Sequence, residues 1–124
     1  MSKNIIQNDY IMYWMEEEIV CVMYKENALI GIEAAKEIIL LRRESFPGNH
    51  PYLVYLFTGM DCVTKDARKL FASKEACEGV SKGALLVKSF INEIIGNAYL
   101  KIDKPLVPTA LFRNKEEAVK WLRK

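Results

Sequence analysis

Tyr52-Leu53-Val54-Tyr55-Leu56-Phe57, followed by Thr58-Gly59-Met60-Asp61-Cys62-Val63-Thr64 and then Lys65-Asp66-Ala67-Arg68-Lys69-Leu70-Phe71, is the stretch that decides the fold. The first segment is continuously apolar and has the length of a strand buried on both faces, the mark of a parallel sheet covered by helices. A short polar loop follows, and a helix opens at Lys65. In open α/β sheets such strand-to-helix turns are where function usually sits, because a helix N-terminus presents unpaired N–H groups there. This loop carries no Gly-rich phosphate cradle, no histidine and no carboxylate pair. It identifies a fold class and leaves the chemistry open.

Working outward, Asp9 to Met15 is rich in aromatic and β-forming residues and reads as a strand. Glu16-Glu17-Glu18 is a polar turn, and Ile19 to Tyr24 returns as the second arm of an antiparallel hairpin. Ile32, Ala35, Ile38 and Ile39 then recur at helical spacing, with a helix end near Ser45 ahead of Phe46-Pro47-Gly48-Asn49-His50-Pro51. Beyond the Lys65 helix, a short helical turn surrounds Glu75-Ala76-Cys77, and Gly83 to Lys88 is a fourth strand. Ser89 caps a helix whose apolar stripe is Ile91, Ile94, Ile95, Ala98 and Ile102. Gly96 interrupts that stripe and costs about 1 kcal/mol relative to alanine, which suggests close packing there. Val107 to Phe112 makes a last strand, and Asn114 with Glu117 forms a capping box for a final helix that buries Ala118, Trp121 and Leu122. The order is ββαβαβαβα: one α/β domain over residues 1–124, with an antiparallel hairpin followed by parallel crossovers.

Composition narrows the class further. The chain has 124 residues, 51% hydrophobic and 27% charged, which describes a globular domain with a real core. Its net charge of +2 does not argue for nucleic acid. The charge is uneven, since residues 80–124 hold nine basic and four acidic side chains. The three cysteines, Cys21, Cys62 and Cys77, have no metal-binding spacing, and Cys21 reads as a buried hydrophobe in a reducing compartment. No apolar run reaches the 18 or so residues of a membrane span and no secretory leader is visible, so a cytoplasmic location without membrane insertion is expected.

Three pieces of sequence together resemble the STAS superfamily, the fold of anti-sigma-factor antagonists. They are the strand–loop–helix block with Thr58-Gly59 and Ala67-Arg68, the run Ile95-Gly96-Asn97 through Leu100-Lys101-Ile102 to Lys104-Pro105, and Pro108-Thr109 with Phe112, Glu116-Glu117-Ala118 and Trp121-Leu122. Within that superfamily the chain is similar to small bacterial STAS/SEC14-type proteins. The resemblance implies a regulatory, protein-binding role and a phosphorylatable serine at a helix start after the third strand. Here it places Thr64 at the position of the family's aspartate and Lys65 at that of its serine. Lysine cannot accept the phosphate, so the switch is not carried over, and Thr64 is expected to cap the helix with Asp66 in its first turn.

The candidate interaction loop is therefore Thr58, Gly59, Asp61, Thr64, Lys65 and Asp66. His50, the sole histidine, lacks sequence neighbours for a metal or a nucleophile relay and reads as a turn residue. No catalytic residues, cofactor or metal are expected. In the first strand Tyr10, Met12 and Trp14 alternate with Ile11, Tyr13 and Met15, so both faces are apolar. Tyr10, Met12 and Trp14 are the expected face of a homodimer. The alternative reading, from the SEC14 side, is carriage of a small apolar ligand among the Tyr/Trp/Met-rich strands with Phe57, Phe71 and Phe90.

Overall fold

In the computed structural model, which describes residues 4–25, 29–56 and 63–124, a single six-stranded sheet runs β1-β2-β3-β4-β5-β6 in chain order. β2 (Ile11–Glu16) and β3 (Ile19–Tyr24) are the expected hairpin, paired with Tyr13 opposite Val22 and Trp14 opposite Cys21. Their turn places Glu17 at φ 46° and Glu18 at φ 73°. This left-handed pair matches the strand twist but is normally filled by Asn-Gly. Arg123, from the chain's far end, pairs with Glu17 and draws the turn against the last helix. A two-residue strand, β1 (Ile6–Gln7), extends the hairpin on its outer edge and was not among the expected elements.

From β3 onward every pairing is parallel: β4 (His50–Leu56) lies beside β3, β5 (Val80–Val87) beside β4, and β6 (Thr109–Phe112) beside β5. The connections are α1 (Ile32–Ser45), α2 (Lys65–Phe71) with the single turn α3 (Lys74–Cys77), and α4 (Phe90–Ala98). Because the strands advance in one direction, crossovers of one hand lay all these helices on the same face. α5 (Lys115–Leu122) follows the last strand and packs on the opposite face over β4, β5 and β6.

Strand alternation feeds two cores. Ile11, Tyr13, Val20, Val22, Tyr24, Tyr52, Leu56, Leu85 and Val87 point toward α1, α2 and α4. Cys21, Leu53, Tyr55, Ala84 and Leu86 point toward Ala118 and Leu122 of α5. Cys21 is a buried thiol, as its apolar surroundings in the sequence imply. The helix starts follow the sequence signals closely. Ser89 accepts from the Asn92 N–H at 3.1 Å, Asn114 from the Glu117 N–H at 3.1 Å, and Ser73 from the Ala76 N–H at 3.3 Å. After α4 the chain continues as a π-helical turn, Tyr99–Asp103, and leaves through Lys104 at φ 48°.

Candidate functional site

At the strand-to-helix turn after β4, Thr58, Gly59 and Asp61 lie outside the described residues, and so does Phe57. The helix start itself is described. Thr64 Oγ1 accepts the Ala67 N–H at 3.2 Å, its backbone N–H bonds to the Ile30 carbonyl at 2.9 Å, and Lys65 and Asp66 stand exposed in the first turn of α2. Thr64 is therefore the N-cap, and the acidic Asp66 complements the helix dipole. His50, expected in a turn, is instead the first residue of β4, and its ring reaches back to the preceding turn with Nε2 at 2.9 Å from the Pro47 carbonyl oxygen.

The three residues of the expected dimer face do not share a surface. Tyr10 precedes β2, packs against the α1-side core and hydrogen-bonds Glu37 of α1. Trp14 lies on the α5 side, its ring stacked on Tyr55 with centroids 5.6 Å apart, and Met12 follows it by strand alternation. That side is only partly roofed. α5 covers β4 to β6, whereas Met12, Trp14 and Met23 on the hairpin stay half-buried. Beside them, Glu16 accepts from the Trp14 indole N–H at 2.9 Å, the Cys21 thiol at 3.2 Å and Lys115 Nζ at 3.2 Å. Burial pushes the Glu16 carboxyl up, but those three donors outweigh it and hold the group at about 2.

The largest departure from the sequence reading is α4. Its apolar stripe suggested close packing at Gly96, yet Ile91, Ile94 and Ile102 are 65%, 53% and 68% exposed, alongside Phe90 at 75% and Leu106 at 65%. The helix instead rests on Asn92, Ile95, Gly96 and Tyr99. Gly96 sets the distance, because a Cβ there would lie 2.5 Å from Leu111 Cδ1 on β6. Ile94 follows Ile91 by three residues and Phe90 by four, the intervals that bring side chains together on one helix face. Exposed Lys88, Lys101 and Lys104 accompany this apolar surface. Large exposed apolar residues grouped in this way mark interaction surfaces. Periodicity reveals the stripe but cannot say whether anything in the same chain covers it.

Beneath α4, between the sheet and the helices of the first face, lies a half-open cavity of about 160 Å³, walled mainly by apolar side chains and by tyrosines. Arg42, on the last turn of α1, reaches its wall while only 5% exposed. No sequence signal pointed to this residue, whose surroundings come from three separate segments. Among the described residues no group of three or more His, Cys, Asp or Glu is arranged to hold a metal ion, and no helix is long and apolar enough to cross a membrane.

The family described as a domain of unknown function, DUF7793, matches residues 13–124. Among solved structures, an uncharacterised protein of the DUF3478 family with a SpoIIAA-like fold, from Shewanella loihica PV-4, superimposes with a TM-score of 0.57. That match has 12% identity and covers 98% of this chain and 92% of the other. A protein of unknown function from Arthrobacter sp. FB24 is 22% identical over 97% of this chain and 98% of its own, with a TM-score of 0.32, too loose to bear on the fold. No curated protein matches. The fold is thus SpoIIAA-like, the STAS-type arrangement that the sequence resembles.

Proposed function

We propose that this chain, which belongs to the DUF7793 family, is a non-enzymatic, STAS-like protein-interaction module that docks its partner on the exposed apolar side of α4. One observation carries the reading: Phe90, Ile91 and Ile94, with Ile102 and Leu106 farther along the same segment, face solvent although each would be expected inside a domain. The lysines around them favour a partner whose apolar contact residues are flanked by acidic ones. The start of α2 supports regulation by binding rather than by phosphate, since Lys65 has no hydroxyl and Thr64 is engaged as a cap. Ile91→Glu combined with Ile94→Glu tests the assignment. Affinity capture with the wild type should enrich a protein that the double variant loses at unchanged thermal stability. Enrichment indifferent to the double variant, or turnover in a hydrolase panel, contradicts it.

The cavity favours a second reading, carriage of a small apolar ligand. Its volume of about 160 Å³ is close to that of engineered cavities that hold benzene and below the few hundred Å³ of drug-sized sites. The cargo is then a compact molecule, not a long-chain lipid. Native mass spectrometry of protein purified without detergent should show a small adduct, and a clean apo mass after exposure to toluene counts against this reading.

A further inference from the structure

We infer that the cavity under α4 is a binding site for a small aromatic carboxylate, its acid group held by Arg42 and its ring by the apolar wall. The inference rests on the ligand-carrying reading of this cavity and gives it a chemical class. It is independent of the docking surface on α4.

Arg42 is buried to 95%, yet no carboxylate lies within ion-pair distance of it among the described residues. Its Nη2 donates to the carbonyls of Ala76 and Glu78, both at 2.9 Å, which fixes the end of α1 to the segment entering β5. Its Nη1 makes one long bond, 3.3 Å, to the Tyr52 hydroxyl. Nε–H and the second Nη1 proton, which do not share an edge of the guanidinium, have no partner among the described residues. Among the described residues this buried cation meets carbonyl dipoles and a phenol and no carboxylate, an arrangement that is costly and that an anion beside it relieves. The nearby Glu78 carboxylate is turned outward onto Arg43, at 3.0 Å.

Among the described residues the rest of the wall supplies no competing anion. Tyr13, Tyr24, Tyr52 and Tyr99 line it, and burial drives all four hydroxyls above the usual tyrosine range, so they stay neutral. At the other end Arg68, which also lines the cavity, is paired with Asp103 at 3.2 Å, whereas Arg42 has no carboxylate partner among the described residues. Val22, Val54, Leu56, Leu85 and Ile95 provide the apolar surface for a ring. A carboxylate can accept from the remaining Nη1 proton and from the neighbouring Tyr52 hydroxyl, whose oxygen takes the other Nη1 proton, and the space accepts one six-membered ring.

Titration of the full chain with benzoate, benzamide and toluene, followed by calorimetry and by the Arg Nε–H resonances, tests the inference. Benzoate should bind about ten-fold or more tightly than either neutral probe and shift the Arg42 Nε–H signal. Val54→Phe fills the cavity without touching Arg42 and should abolish benzoate binding with the fold retained. Arg42→Met should level benzoate with benzamide; if that variant fails to fold, Val54→Phe and the arginine resonance still decide. Equal binding of benzoate and toluene overturns the acid-specific site while leaving an apolar carrier standing. Absence of binding by all three overturns both. Undiminished benzoate binding to Val54→Phe places the ligand elsewhere and also overturns it.

Discussion

At the scale of single residues, the side chains with clear physical jobs are the ones whose partners lie close in sequence. Thr64 is legible as a cap because the N–H it accepts belongs to Ala67, three residues on. Thr64→Ala should cost about 1 kcal/mol in chemical denaturation, and Thr64→Ser should restore most of it. Gly96 is legible as a point of close approach, though not the Leu111 methyl it approaches. Gly96→Ala gains helix propensity and needs only that flexible methyl to move, so it should change stability by less than about 1 kcal/mol. Gly96→Leu should destabilise by about 1–3 kcal/mol, because no side chain of that size fits between α4 and β6. Glu16 and Arg42 were not legible, since their environments are assembled from distant segments. Glu16 has a folded pKa of about 2 against an ordinary 4.5. Above 4.5 its ionised form stabilises the fold. As pH falls from 4.5 toward 2 the unfolded chain takes up the proton first, so stability drops across that window. Glu16→Gln should be less stable at neutral pH and lose part of this slope, which urea melts at pH 6, 4.5 and 3 will show; parallel slopes in the two proteins would contradict the hydrogen-bonded geometry.

At the scale of elements, the sequence reading succeeds where a pattern has one physical cause. Ile19–Tyr24 and Tyr52–Leu56 are continuously apolar because helices or neighbouring side chains cover both sides, and both are strands at the expected places. It fails for β1, whose two residues carry no periodicity and are strand only because the outer edge of β2 offers them partners. It fails more instructively for α4. Apolar spacing identifies which residues share a side, but burial depends on how the helix is rotated over the sheet, and Gly96 rotates it so that Asn92 and Ile95 face inward. The hairpin turn shows a different conflict. Glu17 and Glu18 occupy left-handed positions that suit Asn-Gly, so local preference opposes the register set by the two strands. Replacing them with Asn-Gly should raise stability by about 1 kcal/mol, offset by loss of the exposed Arg123–Glu17 pair, which is worth a few tenths. A lower melting temperature for the Asn-Gly variant would show that the pair matters more than the turn.

For the whole molecule, topology leaves two surfaces unfinished. Among the described residues the sheet's second face has one helix for six strands, so α5 covers β4 to β6 and Met12, Trp14 and Met23 stay half-open on the hairpin. A homodimer there remains a proposal built on Met12 and Trp14, without Tyr10, which points to the other core. Sedimentation should then show a concentration-dependent dimer that Met12→Glu abolishes, and a strict monomer would dismiss it. The second surface is the solvent side of α4, and the docking function rests on it. Site-specific photo-crosslinking in the host cell addresses that claim most directly, with the photoreactive residue at Ile94 and, as a control, at the equally exposed Leu40 on α1. The docking account predicts one discrete protein adduct from position 94, absent from position 40 and lost when Ile91→Glu is added. No protein adduct at position 94, or the same adducts from both positions, would contradict it.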